Sequence, residues 1–326
     1  MTRDLRALPK AHLHLHLEGG MRRSTLEERA AHYGIDLPVV SGYTSFTEFS
    51  NLYQACCAVL RTHDDLRRLV REAVEDAAAA GAVWLEMAVR PAVHRGKFGG
   101  DADVLESFLD EGRVAGAELG VGVGALMTVD RTEPIATAFE EADLAVTYAE
   151  DGVVSFGLAN DEVGHPPEEF AEPFAVARDA GLLSCPHAGE LEGPASVWGA
   201  LDALGADRIQ HGVRSVEDPA LIERLAADGV CLDVCPTSNV CLGIAPSIEE
   251  HPLPRLLDAG IRCSLNADDP LFFGAQLLEE YELCRSRMGL SDEQLALIAR
   301  CSIEASGAPA DLKRRAGAGI SAWLSS

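Results

Sequence analysis

Lysine is scarce in this chain: Lys10, Lys97 and Lys313 are the only three in 326 residues. Basic residues total 27 against 52 acidic ones, a formal charge of −25. A surface that acidic repels phosphate backbones and anionic headgroups, which argues against nucleic acid and membrane as partners. No apolar run approaches the ~20 residues of a membrane span. Residues Met1 to Lys10 hold no apolar stretch of the kind that opens a secretory leader, so a cytoplasmic location is expected. There is no fixed-period repeat, no low-complexity tract and no linker rich in Pro, Gly or Ser. Length alone permits two domains, but a single α/β barrel reaches this size, and residues 1–326 are read as one domain.

The nine cysteines are odd in number and scattered. Cys185, Cys231, Cys235 and Cys263 sit in apolar runs, where a reduced thiol behaves as a small buried hydrophobe. Cys231 and Cys235 are spaced like half of a thiolate site, but no second pair completes a tetrahedron, so they are read as core.

Short apolar runs alternate with longer amphipathic stretches. The runs are Ala11–Leu17, Ala82–Val89, Val121–Val129, Val153–Ala159, Leu182–Ala188, Arg208–Gly212, Val230–Cys235 and Ile261–Ala267. Between them lie helical stretches, several opening at Pro and closing at Gly. This alternation implies parallel strands with right-handed crossovers, and about eight units fit a closed (β/α)8 TIM barrel, with an open doubly wound sheet as the alternative. The long gap after the first strand reads as extra helices over Arg23–His32 and Phe46–Ala80, with Phe46–Leu60 as a lid or pocket wall. The tail reads as about three further helices, over Gln276–Met288, Asp292–Ala305 and Pro309–Leu324.

Ionisable residues collect at the C-terminal ends of these strands, where barrel active sites lie. His12, His14 and His16 alternate on one face of the first strand, and two imidazoles one residue apart can chelate one ion. His187 and Glu190 end the fifth strand, His211 the sixth, and Asp268 and Asp269 the eighth. Imidazoles plus one carboxylate, with a position left for water, suit a hydrolytic metal site. None of the three lysines falls at the end of a middle strand, where carbamate-bridged binuclear barrels need one. A single ion is therefore expected, Zn²⁺ suiting the N/O donors best and Fe²⁺ or Mn²⁺ being able to occupy them.

Five segments in register resemble the adenosine deaminase family: Pro9–Gly19 (PKAHLHLHLEG), His187–Glu190 (HAGE), Asp207–Gly212 (DRIQHG), Val234–Asn239 (VCPTSN) and Ser264–Pro270 (SLNADDP). The likeness runs from Leu8 to the last helices. It implies one Zn²⁺ per chain held by His14, His16, His187 and Asp268. It further implies that Glu190 protonates the purine N1, that His211 orients and deprotonates the attacking water, and that Asp268 helps pass a proton to the leaving ammonia. Asp269 would bond N7, which requires a proton on one of the two and hence a raised pKa at Asp269. Glu18 stands where the family usually has an Asp on the ribose hydroxyl, and His12 is not used as a ligand.

The fourth-strand segment departs from the family pattern. Gly157 replaces an acid, and Asn160 replaces a Gly whose N–H serves the purine N3. Both changes, with Glu18, fall at the substituent end, so His16, Glu18, Asn160 and Asp269 form the expected substrate contacts. The expected reaction is hydrolytic deamination of a 6-aminopurine. Adenosine or 2′-deoxyadenosine is the first candidate; adenine, 6-aminodeoxyfutalosine or a 5′-substituted adenosine are alternatives. An amide or amidine hydrolase and an inert purine-binding homologue are the competing classes. Nothing in the sequence specifies oligomeric state.

Overall fold

The computed structural model describes residues 3–37 and 46–326. Nine parallel strand segments form the sheet: β1 (Lys10–His12), β2 (Ala82–Val89), β3 (Gly122–Asp130), β4 (Val153–Ala159), β5 (Leu183–Ser184), β6 (His187–Ala188), β7 (Arg208–His211), β8 (Cys231–Val234) and β9 (Arg262–Leu265). β1 to β5 pair in order, and β6 to β9 pair in order. β5 and β6 are two halves of the single strand expected over Leu182–Ala188. The ladder breaks at Pro186, which has no N–H to give; its carbonyl still accepts from Gln210 at 2.9 Å, and the Ser184 carbonyl accepts from Asp207 at 2.9 Å. On the other side, the Asp268 N–H donates to the His14 carbonyl and the His16 N–H to the Asp268 carbonyl, both at 3.1 Å. These bonds close the curled sheet into the expected barrel.

The first strand is shorter than expected. Regular pairing stops at His12, and only single bridges at Leu15 and His16 follow. The cause is Asn266, whose Oδ1 accepts the N–H groups of both Leu13 (2.7 Å) and His14 (3.1 Å), a side chain doing what a neighbouring strand otherwise does.

Most buried apolar side chains of strands and surrounding helices form one extended cluster, and Ala88, Leu126 and Cys185 form a small second one. The barrel also holds a buried ionic group. Arg208 on β7 reaches Glu86 on β2 at 2.6 Å and Asp233 on β8 at 3.0 Å, all three with no side-chain exposure. β2 and β7 are not neighbours, so the first of these bonds crosses the barrel. The charges are further satisfied by the Gly307 N–H, the Trp84 indole and the Ser264 hydroxyl, which offset the cost of burying them.

The insertion after β1 contains Arg23–Tyr33, Phe46–Cys57 and His63–Ala79. The expected stretch Phe46–Ala80 is two helices because Thr62 caps the second: its hydroxyl accepts from Asp65 N at 3.1 Å, and the Asp65 carboxylate answers the Thr62 N–H. The tail carries Leu277–Ser286, Asp292–Ala305 and Ala310–Ser325, as the periodicity implied. No helix among the described residues is long and apolar enough to cross a membrane.

Candidate active site

The strand ends meet in one pocket, as the spacing of their ionisable residues suggested. His14, His187, His211 and Asp268 place one donor atom each within 4.8 Å of one another, and His16, Asp268 and Asp269 do the same beside them. Asp268 is the shared element. Its Oδ1 lies 3.2 Å from His14 Nε2 and 3.3 Å from His16 Nε2, while its Oδ2 accepts the Ser238 hydroxyl at 2.6 Å.

The imidazoles are oriented from behind. His187 Nδ1 donates to the Leu158 carbonyl at 2.9 Å, and His14 Nδ1 faces the Asp233 carbonyl at 3.4 Å. Both rings therefore turn Nε2 inward. His14 Nε2 is buried and has no hydrogen-bond partner. A buried imidazole lone pair without a donor, beside a carboxylate and two further imidazoles, fits a divalent cation of the zinc type. No cysteine belongs to these groups. His12 stands apart from them: its Nε2 accepts the Ala267 N–H at 3.1 Å.

Glu190 is buried, with Oε1 3.5 Å from His211 Nε2. Burial pushes its carboxyl well above the usual range, and the charge on Asp268 adds to this. Burial does the same to Asp269, against the opposing pull of His16. Burial and the neighbouring His14 push His211 down to about 3, so its ring is neutral. Both carboxyls thus hold a proton more tightly than an ordinary carboxylate, beside a neutral imidazole, a combination suited to general acid chemistry.

Asn160, His211 and Asp268 are the non-glycine residues with positive φ among those described, at 78°, 64° and 60°. All three line this pocket. Such backbone costs about 1–3 kcal/mol per residue and persists where its surroundings enforce it. Asparagine tolerates the left-handed region better than most side chains, which is how Asn160 occupies a position where the family has Gly. Gly157 is also explained locally: a Cβ there would lie 2.6 Å from Leu126 Cδ2 and 3.0 Å from the Cys185 carbonyl, so this barrel has no room for a side chain at that point.

The outer wall is the helix Phe46–Cys57, as the reading of Phe46–Leu60 as a pocket wall expected. Phe49 stacks on Phe273 with ring centroids 5.3 Å apart, and Tyr53 stacks on Phe272 at 5.7 Å. Phe272 and Phe273 belong to the turn of helix Pro270–Phe273, directly after Asp269, so wall and acidic loop form one packed unit. Tyr53 also donates its hydroxyl to Glu18 Oε2 at 2.6 Å, and His94 Nε2 meets Glu18 Oε1 at 2.6 Å. Asn160 Nδ2 donates to Asp130 Oδ2 at 2.8 Å, where Arg90 also donates at 2.9 Å.

Several residues here carried no role in the sequence reading. Glu162 accepts the N–H groups of Gly189, Glu190, Leu191 and Glu192 at 2.9, 3.0, 2.6 and 2.8 Å. The available signal was the turn before the helix at Pro194, whose exposed amides need an acceptor. Tyr53 lay in the expected pocket wall and Ser238 in the VCPTSN segment, each without an assigned bond, while His94 and Asp130 had no signal beyond their residue type.

The profile of the family described as adenosine deaminase matches residues 9–323. A Streptomyces coelicolor protein, assigned provisionally by its name to adenosine/adenine deamination, is 44% identical over 99% of this chain and 98% of its own length. An adenine deaminase of the same organism is 38% identical over 96% of this chain and 94% of its own. Among solved structures, an adenine deaminase from Arthrobacter aurescens superposes with a TM-score of 0.91 at 31% identity, covering 98% of this chain and 99% of that one. An amidohydrolase from Burkholderia ambifaria with bound zinc gives 0.85 at 28% identity, covering 98% and 91%. With a barrel closed around a His/Asp cluster and a buried acid beside it, the chain belongs to the adenosine deaminase family, hydrolytic enzymes that remove the amino group of a 6-aminopurine.

Proposed function

We propose that the substrate is the free base adenine, converted with water to hypoxanthine and ammonia. The observation that carries this reading is the commitment of the polar side chains at the substituent end. Both Glu18 oxygens are bonded within the protein, to His94 and Tyr53. Asn160 is bonded through Nδ2 to Asp130, and its Oδ1 accepts the Asp161 N–H at 2.9 Å. Ribose hydroxyls entering there would meet groups already partnered, and each unanswered buried hydroxyl costs about 1–3 kcal/mol. Adenine brings no hydroxyls to that end, so the Glu18 bonds to His94 and Tyr53 stay undisturbed. Burial opposes ionisation of Glu18, but the bonds from His94 and Tyr53 outweigh it and keep the group an anion. Arg90, the one Arg or Lys side chain lining the pocket among the described residues, is engaged by Asp130, Glu133 and Glu141, which disfavours a nucleotide phosphate. Relatives named adenine deaminase over nearly the whole chain support the same reading.

His14, His16, His187 and Asp268 would hold one zinc ion. When bound, zinc supplies the Lewis acidity that activates water near neutral pH. Glu190 gives its proton to N1, making C6 open to attack. His211 orients the attacking oxygen. Asp268 takes one water proton and passes it to the departing amino group, which leaves as ammonia, while the remaining hydroxyl proton returns to Glu190. Asp269, protonated, donates to N7.

Ammonia release by zinc-loaded enzyme tests the assignment on adenine, adenosine, 2′-deoxyadenosine, 5′-substituted adenosines and 6-aminodeoxyfutalosine. A kcat/KM for adenine at least about tenfold above every nucleoside is expected. A faster nucleoside would show that Glu18 and Asn160 exchange their protein partners for sugar hydroxyls.

A further inference from the structure

His251 lies outside the pocket lining and outside the motifs shared with the family, yet its buried ring is bonded at both nitrogens. The Leu253 N–H points at His251 Nδ1 at 3.1 Å. A backbone N–H can only donate, so Nδ1 accepts and carries no hydrogen. Burial lowers the His251 pKa to about 4, so the ring is neutral and its hydrogen resides on Nε2. His251 Nε2 lies 3.0 Å from the Asn239 side-chain oxygen, which accepts that hydrogen. The opposite amide orientation would set two donors face to face. The Asn239 amide is thereby fixed with Nδ2 turned to His211 Nδ1, 3.2 Å away. Nδ2 donates and His211 Nδ1 accepts, so Nδ1 carries no hydrogen and the ring's hydrogen must sit on Nε2.

We propose that His251, acting through the side chain of Asn239, locks His211 as its Nε2–H tautomer, so that His211 meets the attacking oxygen as a hydrogen-bond donor and not as a base. The surroundings of Nε2 agree: Glu190 Oε1 at 3.5 Å and Asp268 Oδ2 at 3.9 Å are both oxygens. Of the two tasks the family resemblance assigns to His211, orienting the water and deprotonating it, this network keeps the first. No proton moves onto His211, and Asp268 is the acceptor of the water proton. His251 and Asn239 are positioning residues, touching neither substrate nor metal.

The inference rests on placing the attacking oxygen beside His211, but its first test does not. Long-range ¹H–¹⁵N spectra of zinc-loaded, ¹⁵N-histidine-labelled enzyme report the tautomer directly, with His211 assigned by its loss in His211→Asn. The expected spectrum shows unprotonated Nδ1 and protonated Nε2. The reverse pattern overturns the proposal even if adenine is turned over, whereas absence of purine turnover overturns the functional reading and leaves the tautomer standing. His251→Leu removes the donor to Asn239; exchange broadening at His211 and a roughly tenfold lower kcat with KM nearly unchanged are expected, the weight of one oriented hydrogen bond. His251→Gln offers an amide N–H to Asn239 and should restore both. A folded Leu variant with the original tautomer and kcat overturns the proposal, and if that variant does not fold, the spectrum of the unmodified enzyme decides.

Discussion

The Glu162 carboxylate accepts the backbone N–H of Glu190 at 3.0 Å, so one buried acid positions the other. The same carboxylate gathers three neighbouring amides and the Ser196 hydroxyl. Glu162→Gln keeps the shape and removes the charge that strengthens these bonds. A stability loss of about 2 kcal/mol is expected, within the usual range for hydrogen bonds to a charged group. Urea unfolding measures it. A fall in kcat is expected alongside, because the Glu190 turn loosens.

Glu190→Gln replaces the acid that supplies the N1 proton while retaining its volume. Ammonia release at saturating zinc should fall by about 10²–10⁴, the usual contribution of a positioned general acid. Bound zinc per chain, measured by elemental analysis, should stay unchanged, since Glu190 is not among the proposed ligands. Unchanged turnover would remove Glu190 from the chemistry.

Tyr53→Phe deletes the hydroxyl that occupies Glu18 Oε2. A sugar hydroxyl could then use that oxygen. The ratio of kcat/KM for adenosine to that for adenine should rise roughly tenfold, the weight of one net hydrogen bond. A ratio that does not move would show that Glu18 does not govern the substituent end.

Glu280 is buried and accepts the Thr237 N–H at 3.2 and 3.3 Å through its two oxygens. Burial pushes its pKa from 4.5 up to about 8. Between those values the folded state binds more protons than the unfolded chain, so this group makes stability fall as pH rises, by up to about 1.36 kcal/mol per pH unit. Glu280→Gln keeps an acceptor for Thr237 and removes the titration. Its stability advantage over the parent should grow from pH 5 to pH 8. An advantage independent of pH would show that Glu280 ionises as an ordinary carboxyl.

Removal of the metal with a chelator should abolish turnover and lower the melting temperature, both restored by zinc. A ligand at a hundredfold its Kd stabilises by about 2.7 kcal/mol. His14→Ala should abolish the zinc-dependent part of the melting temperature, since its buried Nε2, beside Asp268, makes no hydrogen bond within the protein.

The barrel and the His/Asp cluster were legible because barrel chemistry falls at strand ends. His187, His211 and Asp268 each close an apolar run, and His14 and His16 follow the period of two. Strand 1 was legible only in part: the bonds from Leu13 and His14 to Asn266 span more than 250 residues and have no periodic signature.

The sequence by itself therefore determined the fold class and which strand ends carry ionisable residues, because these depend on hydrophobic period and on order along the chain; that His211 joins His14, His187 and Asp268 while His16 lies with Asp268 and Asp269 came from the structure. Only the tertiary structure decided that Glu18 is committed to Tyr53 and His94, that Glu162 holds the Glu190 turn, that Arg208 crosses the barrel to Glu86, and that His251 reaches His211 through Asn239. The physical reason is common to all four. A hydrogen bond depends on angles and on distances of a few tenths of an ångström between groups that the closed barrel brings together from distant parts of the chain.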